Sequence, residues 1–130
     1  MRRFIAVILI VLSATAAQAS DWYKFGHGTD GSVWWADRET SLGDETFRWV
    51  WVKSDLAKVK GTKIGSSKEL WRYNCKERTS LVVSVIEYLP NGNVHKSQSF
   101  PSDNKYLYSP VAPGTLSDTV MQDICFGVAS

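Results

Sequence analysis

The chain has 130 residues, with 15 Lys and Arg against 13 Asp and Glu and a formal net charge of +2. Two arginines fall within the first 19 residues, so residues 20–130 carry 13 basic and 13 acidic side chains. A chain of this length forms one domain. A neutral domain lacks the charge that draws proteins to nucleic acid or to anionic lipid, so we expect no nucleic-acid partner.

The N-terminal segment has the parts of a secretory signal peptide. Two arginines precede an apolar run at residues 4–12, and the A-Q-A at residues 17–19 matches the usual cleavage pattern. The run is too short to span a bilayer, and no lipid-anchor cysteine follows the expected cut. We expect residues 1–19 to be removed and residues 20–130 to form a periplasmic or secreted domain without stable membrane insertion. Association with the cell surface stays open.

Alternation of apolar and polar residues with period two predicts six strands. They are placed at residues 21–27, 32–40, 46–53, 69–78, 81–89 and 93–100. The polar stretch at residues 54–67 is interpreted as a loop. Residues 81–89 are apolar on both faces, which is typical of a central strand that is covered on both sides. The P-N-G-N that follows predicts a hairpin, and the polar strand after it is expected at an edge.

Residues 115–127 predict the only long helix. Thr115 can cap it, with Asp118 three residues on, and Gly127 can end it. Leu116, Val120 and Ile124 step by four and form an apolar stripe with their neighbours. We therefore expect an α+β fold: a single antiparallel sheet of about six strands, with one C-terminal helix packed on one face.

The two cysteines, Cys75 and Cys125, are expected to form a disulfide. Export to an oxidising compartment and a count of two favour pairing. A metal site would need more ligands at suitable spacings, and a catalytic thiol would be hard to keep reduced. The bond would tie the helix to the sheet.

No catalytic set is recognised, and we expect no enzyme, cofactor or metal. A nucleophile elbow is missing from the sequence. His27 and His95 are interpreted as solvated surface residues. Asp37 and Glu39 would share a strand face if the chain stays extended there. Two neighbouring carboxylates can act in acid–base catalysis. The same two residues are also typical of a solvated strand end.

Tryptophan is the informative residue, with six in the whole chain. On the third strand, Phe47, Trp49 and Trp51 share one face, with Arg48, Val50 and Val52 on the other. One helix covers one face, so the second face stays open unless a loop such as residues 101–114 folds over it. Exposed aromatic and Arg side chains are typical of interfaces. The candidate protein-binding residues are Trp34, Trp49, Trp51 and Arg48.

The order of these pieces resembles the surface-adhesin protein E family. The resemblance rests on Trp22, W-A-D at residues 35–37, RWVWV at 48–52, YNCKERT at 73–79, YLPNGNV at 88–94 and SPVAPGTLSDTVMQDIC at 109–125. It implies a small antiparallel sheet with a helix held by one disulfide. It also implies an exported, non-enzymatic module that binds host matrix proteins. The alternative is a periplasmic structural or inhibitory domain that self-associates, as a homodimer for example, or binds an envelope protein.

Overall fold

The structure is a computed structural model that describes residues 20–127. Its strands are β1 (Trp22–His27), β2 (Val33–Asp37), β3 (Leu42–Gly43), β4 (Phe47–Asp55), β5 (Ser66–Asn74), β6 (Thr79–Tyr88), β7 (Val94–Ser99) and β8 (Ser109–Pro110), and its α-helix is α1 (Leu116–Phe126). Short 3-10 turns lie at Arg38–Thr40 and Lys105–Leu107. The signal peptide predicted at residues 1–19 lies outside the described residues.

The strands form one antiparallel sheet in the order β1-β2-β4-β5-β6-β7, with β3 paired to β4 and β8 paired to β6. The six long strands match the six that the sequence predicts. Strands β3 and β8, of two residues each, are additional. The predicted fold class, a single antiparallel sheet with a C-terminal helix, is confirmed.

The core lies between α1 and one face of the sheet. Val50 and Val52 of β4 and Val120 of α1 are fully buried there. The Tyr73 hydroxyl lies 3.0 Å from the Ser117 carbonyl oxygen and donates to it. Opposite the helix N-terminus, a Cβ on Gly26 would lie 2.5 Å from Leu116 Cδ2, so the missing side chain lets helix and sheet approach closely.

The helix begins and ends as the sequence predicts. Thr115 Oγ1 accepts from the Asp118 N–H at 3.2 Å, and Gly127 has the left-handed φ of 66°. The Asp118 carboxylate accepts from the Gly114 N–H at 3.0 Å, one residue before the cap. In a usual capping box this carboxylate would accept from the N–H of the cap residue itself, so here the second hydrogen bond is shifted by one residue.

The predicted disulfide between Cys75 and Cys125 is confirmed, with a Cα–Cα distance of 5.5 Å. Cys75 lies just after β5 rather than within it. The strand predicted at residues 69–78 ends at Asn74, because the Asn74 side chain accepts from the N–H groups of Lys76 and Glu77 at 3.2 and 3.0 Å and closes a turn.

Two other strand boundaries were predicted wrongly. The strand expected at residues 32–40 ends at Asp37, whose carboxylate accepts from the Glu39 N–H at 3.0 Å and starts a 3-10 turn. Asp37 and Glu39 therefore share no strand face. The loop expected at residues 54–67 is shorter, since Ser54 and Ser67 pair in the sheet with their hydroxyl oxygens 2.7 Å apart.

The prediction that residues 81–89 are covered on both sides is wrong. Every residue of β6 is only half-buried. Helix α1 packs mainly on β1 and β4, and the nearer of these strands is two positions from β6 in the sheet. The hairpin after β6 is confirmed, with Gly92 at φ 88°. Strand β7 lies at the edge of the sheet as predicted, and all its residues are exposed.

Candidate functional site

The side chains that point away from α1 form what we call the outer face of the sheet. On β4, Phe47, Trp49 and Trp51 alternate with the buried Val50 and Val52, so they lie on this face. All three aromatic side chains are half-buried. The predicted sharing of one face by these three residues is confirmed.

An arginine lies at the centre of one half of the outer face. The Arg72 guanidinium carbon lies 4.0 Å from the ring centre of Phe47 and 5.0 Å from that of Trp49. Arg72 Nη1 donates to the Tyr108 hydroxyl at 2.8 Å and also to the Ser102 carbonyl. Stacking and hydrogen bonds together fix the guanidinium in one orientation. We call these side chains, with Tyr108, the arginine cluster.

Two grooves flank the arginine cluster. One of about 630 Å³ extends toward Asn74 and Lys105, and one of about 350 Å³ extends toward Leu42 and Asp44. Phe47, Trp49 and Arg72 line both grooves. The cluster therefore forms a ridge between two depressions. The ridge can insert into a partner's surface, and the depressions can bind the partner's side chains.

Apolar side chains at the margin of the grooves are more exposed than those within them. Leu42 is 67% exposed, and Tyr106, next to Lys105 in the second 3-10 turn, is 85% exposed. Large apolar groups that stay in water at the rim of an aromatic groove often mark an interaction surface.

The segment 101–114 covers only one end of the outer face. Its Ser102 and Tyr108 contact Arg72, and its β8 then pairs with the start of β6 before the chain passes to α1. The alternative that residues 101–114 cover the second face, here the outer face, is therefore confirmed only in part, since the segment covers the arginine cluster alone.

The other half of the outer face combines tryptophans with lysines. Lys53 Nζ lies 4.5 Å from the ring centre of Trp22 and 5.6 Å from that of Trp35. Beside it, Trp51 and Lys68 line a depression of about 320 Å³. We call this half the lysine–tryptophan patch.

The four predicted binding residues do not lie together. Trp34 and Arg48 lie on the helix side, paired in register with Ser54 and Tyr73. The Trp34 ring packs 5.9 Å from that of Trp71, and its N–H donates to Ser32 at 3.0 Å. Trp49 and Trp51 are on the outer face, so only these two remain in the candidate surface.

Sequence reasoning missed Arg72 and Tyr108 as members of the surface. The alternation of β5, with Trp71 and Tyr73 facing the helix, already places Arg72 on the outer face. Tyr108 reaches the arginine cluster from the connecting segment 101–114. The sequence of this segment has no periodic pattern of apolar residues that would predict the contact.

Glu69, His27 and His95 lie on three different strands of the sheet. Burial raises the pKa of Glu69, the Trp71 N–H opposes this and lowers it, and the nearby Glu87 carboxylate adds a smaller increase. His27 and His95 lie in the two edge strands of the sheet, β1 and β7. Within residues 20–127, no group of three or more His, Cys, Asp or Glu side chains is arranged to hold a metal ion.

An open face of aromatic rings around a fixed guanidinium is typical of a protein-binding domain. The family model for surface-adhesin protein E matches residues 22–126. The chain therefore belongs to the surface-adhesin protein E family, as its sequence pattern predicts. Membership supports an adhesin-like binding module rather than an enzyme.

Comparisons with curated proteins and with solved structures gave no match. In the part of the chain that the structure describes, no helix has the length and apolar character needed to cross a bilayer.

Proposed function

We propose that the chain is an exported, non-enzymatic module that binds host matrix proteins through the outer face of its sheet. The observation that carries this proposal is the arginine cluster, a ridge of aromatic rings around Arg72 that α1 leaves uncovered. Trp, Tyr and Arg dominate the energetics of protein interfaces. Family membership and the predicted signal peptide support the same role.

The ridge is suited to act as an anchor because its arginine side chain is already held in one conformation before a partner binds. Arg72 is already held by Phe47, Trp49 and Tyr108. A preorganised side chain loses less conformational entropy on association than a free one. Trp49 lines both grooves, so its removal would empty the centre of the surface.

Binding of the mature domain to immobilised extracellular-matrix proteins tests this role. Trp49→Ala should weaken binding by about tenfold or more, as expected for an interface anchor. Phe126→Ala is the matched control, because Phe126 is a 44% exposed aromatic at the end of α1, off the outer face. Equal affinities for wild type and Trp49→Ala, with both folded, would contradict the proposal.

A second candidate is a periplasmic domain that self-associates or binds an envelope protein. The edge strand β7 favours it, because all six of its residues are exposed and no strand within residues 20–127 pairs with its outer backbone edge. Cell fractionation and sedimentation separate the two candidates. Surface exposure and a monomer support adhesion, whereas a soluble periplasmic dimer supports the alternative.

A further inference from the structure

Lysines form a row across the outer face, in the lysine–tryptophan patch. In the register of the sheet, Lys24 lies opposite Trp35, Trp35 opposite Lys53, and Lys53 opposite Lys68. Directly opposed like charges destabilise a strand pair. The register therefore places the side chains of Lys53 and Lys68 next to each other on this face, with the Lys53 ammonium lying 4.5 Å from the ring centre of Trp22. An anionic partner group would interact favourably with both lysines.

Two acidic residues, Asp37 and Asp55, lie beside this row, and the carboxylate of each accepts hydrogen bonds from backbone N–H groups. Asp37 lines the same depression as Lys68, but its side chain is only 1% exposed. Its Oδ1 accepts from the backbone N–H groups of Asp21 and Glu39 at 2.9 and 3.0 Å. The carboxylate is thus held by the backbone and does not bridge the opposed lysines.

Apolar walls adjoin the lysines. The depression of about 320 Å³ beside Lys68 is also lined by Trp22, Trp51 and Ile86. A second depression of about 240 Å³ is lined by both Lys53 and Lys68. One surface therefore offers two cations and pockets that suit apolar side chains.

We propose that the lysine–tryptophan patch binds an acidic segment of the partner protein, with carboxylates at Lys53 and Lys68 and an apolar side chain against Trp51. This inference rests on the proposed function and names the chemistry of its partner. A peptide fits better than a polyanionic glycan or nucleic acid, because residues 20–130 are neutral as a whole and the row holds three lysines rather than a long basic track.

A random copolymer of glutamate and tyrosine is a suitable probe, with polylysine and heparin as comparison ligands. The mature domain should bind the copolymer, and less tightly as salt is raised, because exposed charges are screened. The double change Lys53→Gln with Lys68→Gln should weaken binding about tenfold. Lys58→Gln with Lys60→Gln removes the same charge from the loop before β5 and should leave binding unchanged.

A second variant separates binding from folding. Lys68→Glu turns the opposed pair into one of opposite charge, so it should raise the melting temperature while abolishing copolymer binding. A lower melting temperature would mean that the lysines are structural and would overturn the inference. So would equal losses in the two double variants, or lysine-dependent binding of heparin without binding of the copolymer.

The result is distinguishable from failure of the proposed function. If Trp49→Ala weakens binding to matrix proteins but neither Lys53 nor Lys68 affects any acidic probe, the outer face is still a binding surface. Only the acidic chemistry of the partner is then wrong.

Discussion

Tyr23 in β1 donates a 2.5 Å hydrogen bond to the Asp123 carboxylate in α1, across 100 residues of sequence. Tyr73 makes a second link of this kind, to Ser117 in the first turn of the helix. Burial is the main cause that raises the pKa of both phenols above their ordinary value of 10.0. Two phenol hydroxyls therefore hold the helix on the sheet together with the disulfide.

These links predict a sensitivity to alkali. Because the folded-state pKa of Tyr23 is raised, its contribution to stability is present below its unfolded-state value of about 10 and is lost as the pH rises through the folded-state value. Tyr23→Phe should cost about 1 to 3 kcal/mol at pH 7. The gap to wild type should shrink at pH 11 in urea unfolding, and a gap that is constant between the two pH values would contradict this account.

Loss of the disulfide should detach the helix. The bond closes a loop with a sequence separation of 50, and the double change Cys75→Ser with Cys125→Ser should cost about 2 to 5 kcal/mol. Circular dichroism should register a loss of helix with the sheet signal retained, since the bond does not join strands. Unchanged stability, or a free thiol in the unfolded and unreduced wild type, would refute the structural role.

Glu69 should destabilise the folded domain at neutral pH. Its Oε2 is buried and makes no hydrogen bond of normal geometry within residues 20–127, and burial raises the pKa of its carboxyl more than the nearby Trp71 N–H lowers it. Because the pKa of this carboxyl is raised in the folded state, its contribution to folding stability is present at acid pH and is lost as the pH rises through the folded-state pKa. Glu69→Gln should therefore unfold at higher temperature than wild type at pH 7, and the difference should disappear near pH 3. A lower melting temperature at pH 7 would refute this reasoning.

Processing of the N-terminus can be measured directly. The A-Q-A at residues 17–19 predicts cleavage after Ala19. Intact-mass spectrometry of the exported protein should give Ser20 as the first residue, without lipid. A retained Met1 or a lipid adduct would contradict the prediction.

The elements with local causes were predictable from the sequence. Gly92 sets the hairpin through its positive φ, and Asn91 through its side chain, which accepts from the Asn93 N–H at 2.9 Å. Thr115 and Gly127 set the ends of the helix. The disulfide followed from the predicted oxidising compartment and the cysteine count. Each of these features depends on a few neighbouring residues or on a simple count, so no tertiary contact had to be known.

Features that depend on tertiary placement were not predictable in the same way. The sequence does not tell which face of each strand meets the helix, so Trp34 and Trp49 are both binding candidates from the sequence, and only the structure places them on opposite faces. The apolar β6 was expected under cover, but α1 packs on β1 and β4. Tyr108 joins Arg72 only because the segment after β7 folds back over the sheet.

The outer face of the sheet is the proposed binding surface. Hydroxyl-radical footprinting of the mature domain, free and bound to a matrix protein, tests it most directly, because it reports each tryptophan separately. Trp49 and Trp51 should be protected on binding, with Trp34 and Trp71 unchanged on the helix side. Protection of Trp34 without protection of Trp49 and Trp51 would contradict it.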